Sequence, residues 1–344
     1  MVEKTPEPDK RVTITDIAIQ LKLSTSTVSR ALSGQGYVSG KARQRIVDTA
    51  RELGYVPDVN ARNLRRRSSN QIGLVVSNLW DPFYAHLAAG FEGIARSHGY
   101  DVVLILDRAD PEEEVLAAES LIAMNVSGVA ITPVSASAIT RLTDHGLAVI
   151  QLDRSVIRTQ SLVASDNFDG GNLATRHLLD LGHRRISIMI DHVRWTSGSA
   201  RLEGYRSAFR EDGLTAPEEL ILQLGETREA MQSSIKTFFN SALRQGVTAI
   251  IAANSVVSEI LYRCCQDLDI AIPDDISVIG YDDVHWTTLV RPSLTVVSQN
   301  VDELGREAAN ALINAVKHPE NRGSATRVLI QPTLLERESV KAVR

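Results

Sequence analysis

Hydroxyl side chains are concentrated in one short segment near the amino terminus, STSTVSRAL (residues 24–32). Within it, Val28, Ala31 and Leu32 have the spacing of one apolar face of a helix. Serine and threonine compete with the backbone for hydrogen bonds and are mediocre helix formers. Because local stability explains five of them poorly, we predict that they form hydrogen bonds with a partner outside the helix.

The amino-terminal part of the chain is basic, although the protein as a whole is acidic. Residues 1–70 contain 13 Lys and Arg against 7 Asp and Glu, whereas the whole chain contains 37 and 42 and has a net charge of −5. A basic segment on an acidic body is typical of a protein that binds a polyanion. Charge alone leaves a merely solvated basic face as the alternative.

Three short amphipathic helices are predicted between Thr13 and Pro57. Ile17 and Leu21 mark the first helix, STSTVSRAL forms the second, and the third begins after Ser39. Three such helices within about 45 residues are typical of a helix-turn-helix unit, whose second helix enters the major groove of DNA. A small helical bundle with a hydroxyl-rich helix is the alternative.

This prediction assigns two kinds of contact with double-stranded DNA. Base edges in the major groove are expected to be read by Thr25, Ser26 and Arg30. Phosphates are expected to be contacted by Thr13, Ser24, Thr27 and Ser29.

Residues 57–70, PDVNARNLRRRSSN, are predicted to form a hinge. Asp58 can cap a helix of one or two turns, which is too short to be stable alone in water. Leu64 stands among Asn63 and arginines, where a leucine suits a wedge that enters the minor groove. A plain basic linker is the alternative.

From Ile72 onward, short apolar runs alternate with longer amphipathic patterns. IGLVVS, GVAIT and AIIAAN have the character of strands, and ARLEGYRSAFREDG has that of a helix. This alternation predicts an α/β body with parallel sheets that are covered on both faces. Some ten strands over about 270 residues favour two lobes over one.

Several classes of function are disfavoured by what the sequence lacks. It has no GxGxxG after a strand and no GxxxxGK[ST], GxSxG or HExxH motif, so we predict neither an enzyme nor a metal site. Its two cysteines, Cys264 and Cys265, are adjacent and form no disulfide framework. No stretch approaches the roughly 20 apolar residues of a membrane span and no apolar leader begins the chain, which predicts a cytoplasmic protein without a cofactor.

Polar side chains directly follow several of the predicted strands. The carboxyl ends of parallel strands are where α/β sheets bind ligands, and two lobes would place these groups around one cleft. An aspartate in such a position is also a common helix cap, so each one alone has two interpretations. The set comprises Asp81, Asp153, Arg154, Asp166, Asn167, Asn254, Asp282 and Asp283.

Seven motifs occur in order between about Thr13 and Arg337: STSTVSRAL, NLRRR, IGLVVSNLWDPFY, LDLGHRRI, ARLEGYRSAF, IPDDISVIGYDD and RPSLTVV. Together they resemble the lactose-repressor (LacI/GalR) family of bacterial transcription regulators. The resemblance implies a homodimer that binds palindromic operator DNA. It also implies a periplasmic-binding-protein-like body that holds a small effector, a sugar or sugar derivative, between its lobes. A repressor controlled by that effector is therefore expected.

The resemblance implies roles for individual residues. Thr25, Ser26 and Arg30 match base-reading positions, and Leu64 matches the leucine that a hinge helix inserts at the operator centre. Effector contacts are implied for Phe83, Tyr84, Ser197, Arg201, Asn254 and Asp282, and the strand-end residues Asp153 and Asp166 are predicted to join them.

The sequence departs from the family pattern at three places. Lys22 stands in a turn that usually holds Gly or Asn, and Ser255 follows Asn254 where an Asp is common. Trp195 and Trp286 are bulky at variable positions, and we expect them to narrow the effector pocket and make it partly apolar.

The predicted domains are a disordered tail (1–12), a helix-turn-helix domain (13–57), a hinge (58–70) and an effector-binding and dimerisation domain (71–344). The first lobe of the last domain is predicted to comprise about 71–167 and 299–326, and the second lobe about 168–298 and 327–344. The chain ends without apolar heptads, which favours a dimer over a tethered tetramer. A sugar-binding transport receptor would share the body but not the basic head. The effector, the direction of its effect and the operator sequence stay open.

Overall fold

Two units make up the chain, Met1–Arg67, here called the head, and Ser68–Arg344, here called the body. The structure is a computed structural model that describes residues 12–33, 36–55, 69–191, 193–225, 227–243, 245–321 and 325–343. The predicted tail up to residue 11 and the predicted hinge up to residue 68, which includes Asp58 and Leu64, lie outside the described residues.

The head contains the three predicted helices. They are α1 (Ile14–Leu21), α2 (Thr25–Ser33) and α3 (Gly40–Glu52). One fully buried side chain from each helix, Ile17, Val28 and Ile46, contributes to a common core. The helix-turn-helix prediction is therefore confirmed.

Side chains cap the first two helices of the head. Thr13 and Asp16 form a capping box at the start of α1. At the start of α2, the Ser24 hydroxyl accepts a hydrogen bond from the Thr27 N–H at 3.2 Å. Ser39 occupies the predicted cap position before α3, but its side chain makes no capping hydrogen bond.

The turn after α1 holds a lysine in the left-handed conformation. Lys22 has φ 55° and ψ 41°, a region that costs a residue with a side chain about 1–2 kcal/mol. Glycine avoids this cost. We therefore expect Lys22→Gly to raise the free energy of unfolding of the head by about 1 kcal/mol, as measured by hydrogen exchange of the α1 and α2 amides. Lys41→Gly within α3 is the control and should lower the free energy of unfolding, because glycine weakens a right-handed helix. A lower free energy of unfolding in both variants would contradict the argument.

The first lobe of the body contains a six-stranded parallel sheet in the order β11-β5-β4-β3-β1-β2. Its strands are β1 (Gln71–Val76), β2 (Asp101–Leu106), β3 (Gly128–Ile131), β4 (Ala148–Leu152), β5 (Leu162–Ser165) and β11 (Arg327–Ile330). Helices α4 (Pro82–Ser97) and α11 (Val301–Lys317) cover one face, and α5 (Pro111–Ala123) and α6 (Ala136–Asp144) cover the other.

The second lobe contains a six-stranded sheet in the order β12-β10-β9-β8-β6-β7, in which only the β10–β12 pair is antiparallel. Its strands are β6 (Ile186–Ile190), β7 (Ile221–Gln223), β8 (Ala249–Ala252), β9 (Ser277–Tyr281), β10 (Thr295–Ser298) and β12 (Thr333–Leu335). Helices α7 (Asn167–Asp180) and α8 (Thr196–Glu211) cover one face, and α9 (Arg228–Ala242) and α10 (Ser255–Asp267) cover the other. The predicted α/β class and two-lobed architecture are confirmed.

The chain passes between the lobes after β5, after β10 and after β11. The predicted boundary at residue 326 is wrong, because β11 pairs with β5 in the first sheet, with Arg327 opposite Leu162. Alternate residues of β11 are exposed, as expected for an edge strand. The last crossing therefore lies between Ile330 and Thr333.

Three strands, β5, β7 and β12, were not predicted. They contain four, three and three residues. The two strands of three residues are too short for a periodic pattern to identify them. Among the described residues, no helix combines the length and apolar character needed to cross a membrane.

Candidate functional site

The carboxyl ends of the parallel strands in the two lobes surround a cleft with a cavity of about 320 Å³. Residues from the loops after β1, β2 and β4 line it from the first lobe, and residues from the loops after β6, β8 and β9 line it from the second. Eight of the ten residues predicted to contact the effector line this cavity: Phe83, Tyr84, Asp153, Trp195, Ser197, Arg201, Asn254 and Asp282.

The other two predicted residues, Asp166 and Trp286, do not line the cavity and serve the fold instead. The Asp166 carboxylate accepts the backbone N–H of Asp169 at 3.0 Å and so caps α7. Trp286 packs edge-on against Tyr262, with ring centroids 5.8 Å apart, beside the core of the second lobe. The structure thus places these two residues in a helix cap and a core contact, and their predicted effector contacts stay predictions.

Asp153 directly follows β4 and lines the cavity. The residue is only 7% exposed and has a left-handed φ of 67°. Its nearest charged neighbour is Arg154, whose Nη1 lies 3.6 Å from Oδ2. Burial raises the pKa of this carboxyl, and Arg154 and then Arg201 oppose the rise. Because no hydrogen bond to this carboxylate is present among the described residues, its oxygens are available to ligand hydroxyls.

Asp282 follows β9 and faces the same cavity from the second lobe. It is 3% exposed, also has a left-handed φ of 65°, and accepts a hydrogen bond from Gln299 Nε2 at 2.7 Å. Burial raises the pKa of this carboxyl to about 6, against the opposing effect of the Arg201 charge. The cleft therefore holds a second buried carboxylate with one oxygen committed to the protein.

Arg201 is fixed in place by the groups around it. Nε donates to Asn167 Oδ1 at 2.8 Å, Nη2 donates to Gln299 Oε1 at 2.9 Å, and Nη1 donates to the Ala253 carbonyl. The guanidinium also lies 4.2 Å from the centre of the Tyr281 ring. Gln299 thus joins Arg201 to Asp282 in one network, a role that the sequence did not reveal.

Arg154 anchors the first-lobe wall of the cleft. Its guanidinium donates to the carbonyls of Pro133 (2.8 Å) and Thr132 (3.1 Å) and to the hydroxyls of Ser77 (3.1 Å) and Tyr84 (3.2 Å). It also lies 3.9 Å from the centre of the Trp195 ring, which belongs to the second lobe. The sequence placed Arg154 at a strand end but did not predict this stack across the cleft.

Two hydrogen bonds also join the lobes across the cleft. The Ser255 hydroxyl donates to Asp81 Oδ1 at 2.9 Å, and the Ser155 N–H donates to Thr196 Oγ1 at 2.9 Å. Ser255 is one of the departures from the family pattern. An aspartate at this position would repel the Asp81 carboxylate, whereas the Ser255 hydroxyl donates a hydrogen bond to it.

Aromatic side chains provide apolar surface around these polar groups. Phe83 and Tyr84 meet edge to face with centroids 5.2 Å apart, and Trp195 stands opposite Arg154. Trp80 also lines the cavity although it is 67% exposed. Its place in SNLWDPFY, next to Asp81, was a usable signal that the prediction overlooked.

Within the described ranges, no cluster of three or more His, Cys, Asp or Glu residues could hold a metal ion. The two cysteines are buried on α10, and burial raises the pKa of both thiols. The polar and aromatic side chains that line the cleft are suited to binding a ligand through hydrogen bonds and aromatic contacts.

The head presents a separate polar surface on α2. Thr25, Ser26 and Arg30 are exposed, and Arg30 Nε donates to the Ser26 carbonyl at 3.2 Å. The Ser24 hydroxyl lies 2.9 Å from that of Ser26 and 2.8 Å from that of Thr27. Thr27 and Ser29 are half-buried, and the Thr13 hydroxyl donates to Asp16 at 2.7 Å.

Comparison with known proteins identifies the class to which this arrangement belongs. Residues 13–58 match the family model of bacterial regulatory proteins of the lacI family, and residues 175–340 match that of a periplasmic binding protein-like domain. The chain belongs to the lacI family of bacterial regulatory proteins.

Individual relatives resemble the chain over almost its whole length. It is 30% identical to the HTH-type transcriptional regulator DegA of Bacillus subtilis (strain 168), with 96% of this chain and 98% of DegA covered. It is 26% identical to a transcriptional regulator CelR–cellobiose complex, with a TM-score of 0.71 and 96% and 100% of the two chains covered. The lac repressor dimer bound to operator and the anti-inducer ONPF shares its fold, at a TM-score of 0.85, 24% identity and 97% and 100% coverage.

Proposed function

We propose that the protein is a sequence-specific DNA-binding transcription repressor whose operator affinity is controlled by a small polyhydroxylated effector bound in the cleft. The observation that carries this proposal is the pair of buried carboxylates, Asp153 and Asp282, which face one cavity from opposite lobes. A ligand that contacts both changes the relative stability of different lobe arrangements.

The chemistry of the cleft favours a sugar or sugar derivative as the effector. Carboxylate oxygens accept hydrogen bonds from hydroxyls, and the aromatic faces of Trp195 and Trp80 can pack against the C–H surface of a sugar ring. The cavity of about 320 Å³ is at the small end of the range for ligand sites. The similar CelR structure contains cellobiose.

The exposed hydroxyls and Arg30 on α2 support palindromic operator DNA as the macromolecular partner. A helix-turn-helix dimer places its two recognition helices in successive major grooves. Such a regulator would act in the cytoplasm, where the chromosome is. A helix in residues 58–64 that inserts Leu64 into the operator is part of this proposal.

An exposed apolar patch on the first lobe supports a homodimer. Leu104 and Leu106 on the edge strand β2 are 37% and 40% exposed, and Leu116 on the adjoining helix α5 is 55% exposed. Apolar side chains on an unpaired sheet edge are typical of an interface between chains. Two copies meeting there would bury these side chains.

The proposed function predicts reciprocal coupling between effector and DNA. Operator sites would be selected from random duplex DNA with the full-length protein, and sugars would be screened by titration. An effector should change operator affinity by about 5- to 150-fold, and operator DNA should change effector affinity by the same factor.

The Arg30→Ala variant is the control for the head. It should lose the sequence preference of the selected DNA while binding the effector normally, because Arg30 belongs only to the α2 surface. Coupling factors of unity for every bound sugar would refute the proposed function. Unaltered sequence preference in Arg30→Ala would refute the base-reading role.

A further inference from the structure

One cationic side chain at the cleft has no hydrogen-bond or ion-pair partner in the part of the chain that the structure describes. Arg108 is exposed and lines the cavity, yet its guanidinium makes no hydrogen bond or ion pair with any described residue. Other arginines of the cavity wall already have partners. Arg154 and Arg201 form the hydrogen bonds described above, and Arg228 donates to Glu259 Oε1 at 2.6 Å. Arg194 also takes part in an interaction. Arg108 is therefore the cavity arginine that is available to a ligand.

The backbone holds Arg108 at the cleft in an uncommon conformation. Arg108 and Ala109 have consecutive left-handed φ angles of 55° and 57°. The Arg108 N–H donates to the Ser77 carbonyl at 3.0 Å, and the buried Asp107 carboxylate accepts the Ala109 N–H at 2.9 Å. Two such residues in succession persist only where the surroundings stabilise them, and such conformations cluster at ligand-binding segments.

The carboxylates nearest to Arg108 in sequence are engaged elsewhere. Asp107 supports the Ala109 turn as described. Asp110 Oδ1 accepts the backbone N–H groups of Glu112 at 2.7 Å and Glu113 at 3.2 Å, and thereby caps α5. These local acids therefore stabilise the loop and leave the guanidinium uncompensated.

The charges around the cavity favour an anionic ligand. Five arginines and four aspartates line it. Burial is the largest effect on Asp81, Asp153 and Asp282, and it raises the pKa of each carboxyl. The arginines of the lining outnumber its aspartates by one, and Arg108 is the arginine without a hydrogen bond or ion pair to any described residue.

We propose that Arg108 determines effector specificity by binding an anionic group, a carboxylate or a phosphate, so that the effector is a sugar acid or a sugar phosphate. This inference rests on the proposed function and deepens it. A guanidinium matches the planar oxygen pair of a carboxylate or two phosphate oxygens. The hydroxyls of the same molecule would bind at Asp153 and Asp282.

The test uses the full-length protein and matched pairs of neutral and anionic sugars in calorimetric titrations at low salt. The pairs are glucose with glucuronate and with glucose 6-phosphate, galactose with galacturonate, and ribose with ribose 5-phosphate. For at least one pair, the anionic member should bind about 10- to 100-fold more tightly than the neutral member, as a charge-assisted hydrogen bond predicts. The acid and phosphate arms distinguish the two kinds of anion.

Three variants test the assignment of the residue. Arg108→Ala should reduce the preference for the anionic member to near unity, because the affinity for the anionic sugar falls more than the affinity for the neutral sugar, and Arg108→Lys should retain part of the preference. Arg158→Ala, which removes an exposed arginine of the same lobe that does not line the cavity, should behave as the unaltered protein.

The outcomes separate this inference from the proposed function. If a neutral sugar binds and changes operator affinity but no anionic partner binds better, the inference is wrong and the proposed function stands. If an anionic sugar binds through Arg108 without changing operator affinity, the inference stands and the proposed function is wrong. A preference that survives in Arg108→Ala, or no binding by any of these sugars, overturns the inference.

Discussion

Gly204→Ala is expected to lower the free energy of unfolding of the second lobe by more than about 3 kcal/mol, because it places a methyl group where two helices touch. A Cβ atom on Gly204, in α8, would lie 2.0 Å from the Phe168 carbonyl oxygen and 2.7 Å from the Asn172 nitrogen, both in α7. These are backbone atoms, so relief requires the two helices to separate. The same variant should weaken effector binding, since α8 carries Arg201 and α7 carries its partner Asn167.

Gly93→Ala is the matched control for this prediction. Gly93 lies in α4 of the first lobe, and a Cβ there would meet no atom within 4 Å. Alanine should therefore stabilise that helix by about 0.5–1 kcal/mol. Urea unfolding followed by tryptophan fluorescence measures both variants, because Trp195 and Trp286 report on the second lobe and Trp80 on the first. Equal stability of Gly204→Ala and Gly93→Ala would show that the helix contact has room to adjust.

The close approach of α7 and α8 also shows what the sequence could predict and what it could not. The apolar pattern of ARLEGYRSAF predicted the helix, because periodicity is a local property. Gly171 and Gly204 each lie against the backbone of the other helix. This contact depends on how the two helices pack, which no local pattern shows. The helices themselves were therefore predictable from the sequence, and the contact between them was not.

The strand-end positions illustrate the same division within the site. Asp153, Asp166 and Asp282 each follow a strand, and the sequence gives each of them the same two interpretations, helix cap or ligand group. In the structure, Asp166 caps α7 because its chain continues directly into that helix. Asp153 and Asp282 instead have left-handed φ angles and face the cavity.

Contacts between distant residues account for the hydrogen bonds that were missed in the cleft. The Asp81–Ser255 hydrogen bond joins residues that are 174 positions apart in the chain, and Arg201 meets Gln299 across 98 positions. No local pattern encodes such pairs. Only the placement of the two lobes brings them together.

Asp282→Asn is expected to stabilise the body while it impairs the response to effector. Burial raises the pKa of the Asp282 carboxyl to about 6, from the ordinary value of 3.8 that it has in the unfolded chain. A raised pKa in the folded state means that the unfolded chain ionises first as pH rises. The unaltered protein therefore loses stability between pH 4 and 6, and above pH 6 the penalty stays constant at about 3 kcal/mol.

Asparagine cannot ionise, yet its carbonyl oxygen can still accept the hydrogen bond from Gln299. The stability gained in Asp282→Asn should therefore be about 1 kcal/mol at pH 4.5 and about 3 kcal/mol at pH 7.5. Effector affinity should fall about 10- to 100-fold at pH 7.5, because a charged acceptor of hydroxyl hydrogen bonds is lost. In the unaltered protein, effector affinity should decrease as the pH falls below about 6, where the carboxylate gains a proton. Denaturation and effector titration of both proteins at the two pH values measure these quantities. A stability difference that does not depend on pH would show that burial does not destabilise the ionised Asp282 carboxylate. If Asp282→Asn is more stable than the unaltered protein and no longer responds to the effector, the buried charge serves function and lowers the stability of the fold.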